Sequence, residues 1–266
     1  MRTIGIAGLA LALLGGEKPA PRPPLLDPAR FELVDLTHPL NAETVFWPTS
    51  PIGFELKRLA HGKTEAGFFY AANTFCMAEH GGTHLDAPFH FFETGETADR
   101  VPLKRLVAAA VVLDVSAKAS KDPDYRATAQ DVRDFETRNG RIPAGAIALL
   151  RTGWSARWPD RKGYLGDDRK GDASNLHFPS FSEEAARLLV KERKVAALGV
   201  DTASVDFGQS RDFAVHRLAA SFNVPGFENL ENLDRLPPTG ALVIALPIKI
   251  EGGTGGPMRA IALVPK

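Results

Sequence analysis

The chain has 266 residues, with 32 Lys+Arg balanced by 32 Asp+Glu, seven His and a single Cys. A chain of this length buries a core of its own without disulfide staples, and a lone Cys76 forms no intramolecular bridge. Zero net charge argues against a nucleic-acid partner or a polybasic membrane binder, both of which need a basic face.

Met1-Arg2 precedes an apolar run over residues 4–14, then Gly15-Gly16 and Glu17-Lys18-Pro19-Ala20-Pro21. One positive charge, a short apolar stretch and a small-residue end have the layout of a secretory signal. The run falls short of the roughly 18–20 residues that span a bilayer, and no Cys follows it for lipid attachment, so no stable membrane anchor is expected. The competing reading is a buried first strand or helix. On the signal reading, residues 1–24 are a signal peptide and Pro-rich linker, residues 25–266 are the folded domain, and the protein is periplasmic or secreted. It is cytoplasmic if the leader is retained.

Folded sequence is expected from Phe31, where residues 31–36 predict a strand. Residues 54–59 and 68–77 predict a hairpin connected through His61-Gly62-Lys63. Residues 107–115 (VAAAVVLDV) form a continuous Val-rich apolar run, the pattern of a central strand covered on both faces. Residues 146–150, 195–200 and 241–246 read alike, and 259–264 closes the set. Residues 128–138 predict a helix with Thr128 as N-cap, Asp131 three residues on and Gly140 as its stop. Residues 182–192 predict another, Ser182 preceding two acids that favour the positive helix end. Residues 213–222 are a third. Strands outnumber helices in mixed order, which predicts an α/β class with a single mixed-sheet domain. Residues 155–179, rich in Gly, Asp and Lys without periodicity, read as a lid or subunit contact, or as a solvated insertion.

The chemistry concentrates in His80-Gly81-Gly82-Thr83-His84-Leu85-Asp86-Ala87-Pro88-Phe89-His90, three of the seven histidines and an Asp within eleven residues. Imidazoles with a carboxylate are a preferred ligand set for Zn²⁺, and for Mn²⁺ or Fe²⁺ when oxygen and water ligands are added. The four-residue spacing brings His80 and His84 to one face if the backbone turns helically. The Gly pair and Pro88 disfavour a long helix, so a tight loop or short helix is expected, with Asp86 completing a three-ligand face. Phe46, Trp47, Phe69 and Trp154 are candidates to face an aromatic substrate. His38 and His177 have no metal-spaced partner and read as surface or supporting residues. Other motifs fail. There is no G-x-S-x-G elbow, Lys57 stands where a phosphate loop ending at Gly62-Lys63-Thr64 needs its first Gly, and residues 252–256 do not follow G-x-G-x-x-G. Cys76 lacks a nucleophile signature and is expected to be buried.

The run HGGTHLDAPFH resembles the H-x-G-T-H-x-D-x-P-x-H signature of the metal-dependent cyclase family, which includes bacterial kynurenine formamidases and isatin hydrolases. Asp35-Leu36-Thr37-His38-Pro39-Leu40 with Trp47-Pro48, Leu150-Arg151-Thr152-Gly153-Trp154, residues 199–206 (GVDTASVD), 216–229 (HRLAASFNVPGFEN) and 246–259 extend the resemblance over residues 31–264. The resemblance implies a swivelling β/β/α architecture. It also implies a first metal on His80, His84 and Asp86, and a second shared by Asp86 with His216 and Glu228. It assigns His90 to general acid/base work, which suits an imidazole that titrates near neutrality.

The expected function is therefore that of a metal-dependent hydrolase cleaving an amide-type C–N bond, in an N-formyl arylamine such as N-formylkynurenine or a cyclic amide such as isatin. Water activated by the metal attacks, with His90 as general acid/base, and Trp47, Phe46 and Trp154 contact the substrate. Zn²⁺ is the expected ion, with Mn²⁺ as the alternative, at one or two per subunit. The resemblance also implies a homodimer or homotetramer. The competing reading is a non-catalytic metal or small-molecule binding protein on the same fold.

Overall fold

The computed structural model describes residues 28–266, so the expected signal peptide lies outside the described residues. Twelve strands follow in chain order: β1 (Phe31–Asp35), β2 (Glu55–Lys63), β3 (Phe69–Cys76), β4 (His84–Asp86), β5 (Val107–Asp114), β6 (Arg126–Ala127), β7 (Ile147–Arg151), β8 (Ser180–Phe181), β9 (Ala197–Val200), β10 (Gly226–Glu228), β11 (Thr239–Pro247) and β12 (Gly255–Pro265). Eight of them form one sheet in the order β1-β12-β11-β5-β7-β9-β10-β4. Because β4 also pairs with the first residues of β12, the sheet curls into a barrel-like ring. Strands β5, β7, β9 and β10 run parallel to one another in that series, and the other pairings within this sheet are antiparallel.

The parallel segment is built from the continuous apolar runs seen in the sequence. Such runs arise because a covered strand must be apolar on both of its alternating faces. Ala110, Val112, Ile147 and Leu149 point into the ring with Val34, Leu85, Phe227 and Ala260. Val111, Leu113, Ala148 and Leu150 point outward, where they are covered by Val132 and Phe135 of the Ala129–Asn139 helix and by Ala185 and Leu189. Thr128 caps that helix in the expected reciprocal box with Asp131, and Gly140, at φ 85°, stops it.

Four local expectations are corrected. The hairpin exists, but His61, Gly62 and Lys63 lie within β2. The turn falls at Thr64 and Gly67, where Gly67 supplies the positive φ of 86°. The helix capped by Ser182 is α-helical only over Glu183–Arg187 and widens into π turns over Leu188–Arg193, which brings Arg193 to a two-pronged pair with Glu136. Residues 155–179 are not a solvated insertion: Tyr164, Leu165, Leu176 and Phe178 are fully buried against Val45, Trp154 and Ala203. Cys76 is exposed, because β3 belongs to a two-stranded hairpin whose side chains, Leu56, Phe69, Tyr70 and Phe75 among them, stand largely in solvent.

Candidate metal centre

Of the tight loop or short helix expected around His80–His84, the loop is what forms: residues 80–83 bend, with Gly81 bridged to Phe46, and lead into β4. His84-Leu85-Asp86 is extended, so the period of two puts His84 and Asp86 on one side of β4 while Leu85 fills the ring interior. Antiparallel β10 sets Glu228 opposite His84. His80 reaches the same cluster across Gly81-Gly82. Gly82 takes φ +61°, and a Cβ on Gly81 would lie 2.1 Å from the Phe46 ring, so only glycine lets that ring pack there. His216 arrives from the Ala214–Ser221 helix.

These side chains converge. His80 Nδ1 lies 2.6 Å and His84 Nε2 3.1 Å from Asp86 Oδ1. His216 Nε2 lies 2.9 Å from Asp86 Oδ2 and 3.2 Å from Glu228 Oε1. Asp86 is thereby shared between two groups, His80–His84–Asp86 and Asp86–His216–Glu228, in each of which the candidate ligand atoms lie within 4.8 Å of one another. The structure thus brings together all five residues expected to hold metal.

Neighbouring groups aim the donors. His84 Nδ1–H donates to Gly82 O (2.9 Å), leaving Nε2 for the cluster. Asp206 accepts from His216 Nδ1–H (2.7 Å) and from the backbone N–H groups of Val215 and His216 (3.0 Å each). It therefore orients the imidazole and caps the helix that carries it. Val205 N–H holds Glu228 Oε1 at 2.8 Å. Asn229, at φ 54°, joins the ring of contacts by donating to Gly82 O (2.8 Å) and accepting from Tyr164 Oη (2.9 Å).

The electrostatics fit a cation. Burial opposes charge on His84, yet hydrogen bonding to Asp86 and the Asp86 and Glu228 carboxylates raise its pKa to about 9. His216 is likewise raised well above the ordinary range, burial being outweighed by Asp206, Asp86 and Glu228. Two buried carboxylates therefore draw positive charge into their centre, the demand a divalent ion bound by imidazole and carboxylate donors satisfies.

His90 sits at the end of a 3₁₀ turn, Pro88–His90, stacked on His80 with ring centroids 3.9 Å apart and 6.2 Å from the His216 ring. Although His90 keeps an exposed edge, desolvation of its inner face, with a smaller push from the neighbouring His80, His216 and His84, lowers its pKa to about 4 against the pull of Asp86. The imidazole is therefore neutral near pH 7 and has its proton-accepting nitrogen available.

The cluster floors a cavity of ≈ 330 Å³ whose walls include Phe46, Trp47, Phe91 and Phe213, the size and character of a small-molecule pocket. Two aromatic expectations are corrected. Trp154 is buried in the core beneath residues 155–179, its Nε1–H given to Tyr164 O, and Phe69 stands exposed on the hairpin. Phe91, Phe213, Asp206 and Asn229 escaped the sequence reading. Phe213 precedes His216 by one helical turn, a spacing that was available as a signal, whereas Asp206 reaches the site by a loop of no fixed periodicity. His38 is buried and stacked on Trp158, and His177 is half-exposed and paired with Asp124.

The family model described as “Putative cyclase” matches residues 34–207. The chain is 34% identical over 276 residues to the isatin hydrolase of Roseibium aggregatum, covering 98% of this chain and 97% of that protein. It is 28% identical over 234 residues to the kynurenine formamidase of Bacillus cereus, covering 86% and 96%. The solved structure of isatin hydrolase A from Ralstonia solanacearum superposes with a TM-score of 0.79 at 37% identity, covering 88% of this chain and 92% of that one.

Proposed function

The chain belongs to the cyclase family, and on that premise we propose that it is a metal-dependent hydrolase of the amide C–N bond in a small aromatic substrate. The observation that carries the reading is the pairing of the His80–His84–Asp86 and Asp86–His216–Glu228 clusters with a free imidazole, His90, at the mouth of an aromatic-walled cavity. A cyclic amide fused to an aromatic ring, the isatin type, is favoured over an N-formyl arylamine by the longer and closer match to the isatin hydrolase.

His80, His84 and Asp86 would hold one ion, and Asp86, His216 and Glu228 a second. A divalent ion there supplies water of lowered pKa and polarises the substrate carbonyl. The remaining work falls to the chain. Phe46 and Trp47 hold the aromatic ring in the cavity. His90 accepts a proton from water as oxygen bonds to the carbonyl carbon. It returns the proton to nitrogen as the C–N bond breaks, leaving a carboxylic acid and an amine. Three imidazoles among the donors favour Zn²⁺ over Mn²⁺.

The exposed apolar side chains of the β2–β3 hairpin support assembly with a second copy, as a homodimer or homotetramer. Sedimentation of the wild type against a variant carrying Leu56→Ser and Phe75→Ser tests this; identical monomer mass for both sinks it. Export rests on the residues 1–24 pattern, and N-terminal sequencing of the protein from a periplasmic extract decides it. No helix among the described residues is long and apolar enough to cross a membrane.

The deciding experiment for the hydrolase reading strips the protein with a chelator and restores Zn²⁺ or Mn²⁺, with isatin and N-formylkynurenine as substrates. Turnover lost on stripping and regained on metal addition supports the reading. A metal-loaded protein that opens neither substrate supports the non-catalytic binding protein instead.

A further inference from the structure

The Gly-rich run at residues 252–256, which matches no nucleotide-binding pattern, passes directly behind His80. A Cβ on Gly255 would lie 2.4 Å from Leu85 O and 2.6 Å from His80 Cε1, so the imidazole rests on bare backbone. The run is itself fixed: Ala87 N–H donates to Thr254 O (2.8 Å), and Ala98 N–H to Gly253 O (2.9 Å). Thr254 then stands between two side chains. Its Oγ1 lies 2.8 Å from His80 Nε2, while its hydroxyl and its backbone N–H (3.0 Å) both donate to Glu79 Oε2.

The direction of this chain follows from its far end. A carboxylate only accepts, and a hydroxyl has one proton, here given to Glu79. Thr254 Oγ1 must therefore accept from His80, which makes His80 Nε2 the protonated nitrogen. Nδ1, 2.6 Å from Asp86 Oδ1, is left as the atom that faces the cluster. His84 has the opposite arrangement, its Nδ1 committed to Gly82 O and its Nε2 inward. The two histidines thus present different nitrogens to one site, each selected by what holds the other.

We infer that Glu79 and Thr254 are positioning residues that commit His80 to bind metal through Nδ1. The inference rests on the metal-dependent reading above. It extends to His90, because the ring seated between Gly255 and His90 is His80 itself. Because rotation about Cβ–Cγ exchanges Nδ1 with Cδ2 rather than with Nε2, presenting Nε2 to the cluster would require the His80 ring to be displaced, and with it the face on which His90 stacks.

The test is Co²⁺ binding to chelator-stripped protein, measured against a competing chromophoric chelator for wild type, Thr254→Val and Thr254→Ser. Thr254→Val removes the hydroxyl at nearly constant volume and is expected to weaken binding by about 10–100-fold, the range for loss of a ligand's supporting hydrogen bond. Thr254→Ser, which restores the hydroxyl, is expected to recover most of that loss. Binding by Thr254→Val equal to wild type, or by Thr254→Ser as weak as Thr254→Val, overturns the inference. Wild type that takes up no Co²⁺ overturns the hydrolase reading and this inference with it. Nitrogen-15 spectra of histidine in Zn²⁺-loaded wild type give a check free of any folding defect. His80 must show a protonated Nε2 and a metal-shifted Nδ1, and the reverse pattern refutes the relay.

Discussion

Asp206→Asn tests the site's architecture with one atom changed. Asp206 Oδ2 receives His216 Nδ1–H and the His216 backbone N–H, while Oδ1 receives the Val215 N–H. An asparagine offers one oxygen where the carboxylate offered two. With its oxygen toward His216, its NH₂ confronts the Val215 N–H. Flipped, it drives His216 to protonate Nε2, and that proton then points at Asp86 and Glu228 where a cation would sit. Either way a helix cap, worth about 1 kcal/mol, is compromised. A charge-assisted bond worth about 1.5–3 kcal/mol is also lost. The metal-free variant is expected to lose about 3 kcal/mol in urea unfolding. Metal binding is expected to fall by about 10–100-fold, read by titration at fixed pH. A variant with unaltered unfolding free energy and metal affinity within about twofold of wild type would show that Asp206 does not orient His216.

His90→Ala is expected to retain metal stoichiometry while losing about 10²–10⁴-fold in kcat, as removal of a proton shuttle does; a normal rate on the best substrate would remove His90 from the mechanism. Gly81→Ala places a Cβ 2.1 Å from the Phe46 ring. It is expected to raise KM by shifting that wall, at a stability cost of about 1–3 kcal/mol; an unchanged KM would show that Phe46 makes no contact with substrate. Asp201, buried and bonded to Thr152 and Gly153, has its carboxyl raised to about 6 by desolvation, which outweighs those hydrogen bonds. A carboxyl raised on folding favours the native state while protonated. That contribution is present below about pH 4 and is lost as pH rises through about 6, by about 3 kcal/mol. Urea unfolding of Asp201→Asn and wild type at pH 4 and pH 7 is expected to show the variant gaining relative stability at pH 7. A pH-independent difference contradicts the burial argument.

The strands of the ring were legible because a covered strand must be apolar on every residue, and runs such as residues 107–115 and 146–150 announce that burial directly. The Thr128 cap and Gly140 stop were legible because both are local chemistry. His80, His84, Asp86 and His90 declared themselves by density within eleven residues, and His216 and Glu228 by resemblance to a family pattern. What the sequence determined, then, was which elements form and which side chains carry the chemistry. Only the tertiary structure decided how those side chains meet. The pairing of β4 with both β10 and β12 makes the segment after the Gly81-Gly82 loop a strand, with His84 opposite Glu228. It also brings Thr254 behind His80 from 174 positions away. Burial of Trp154, exposure of Cys76 and the arrival of Phe91 at the cavity depend likewise on long-range packing, which no local periodicity encodes.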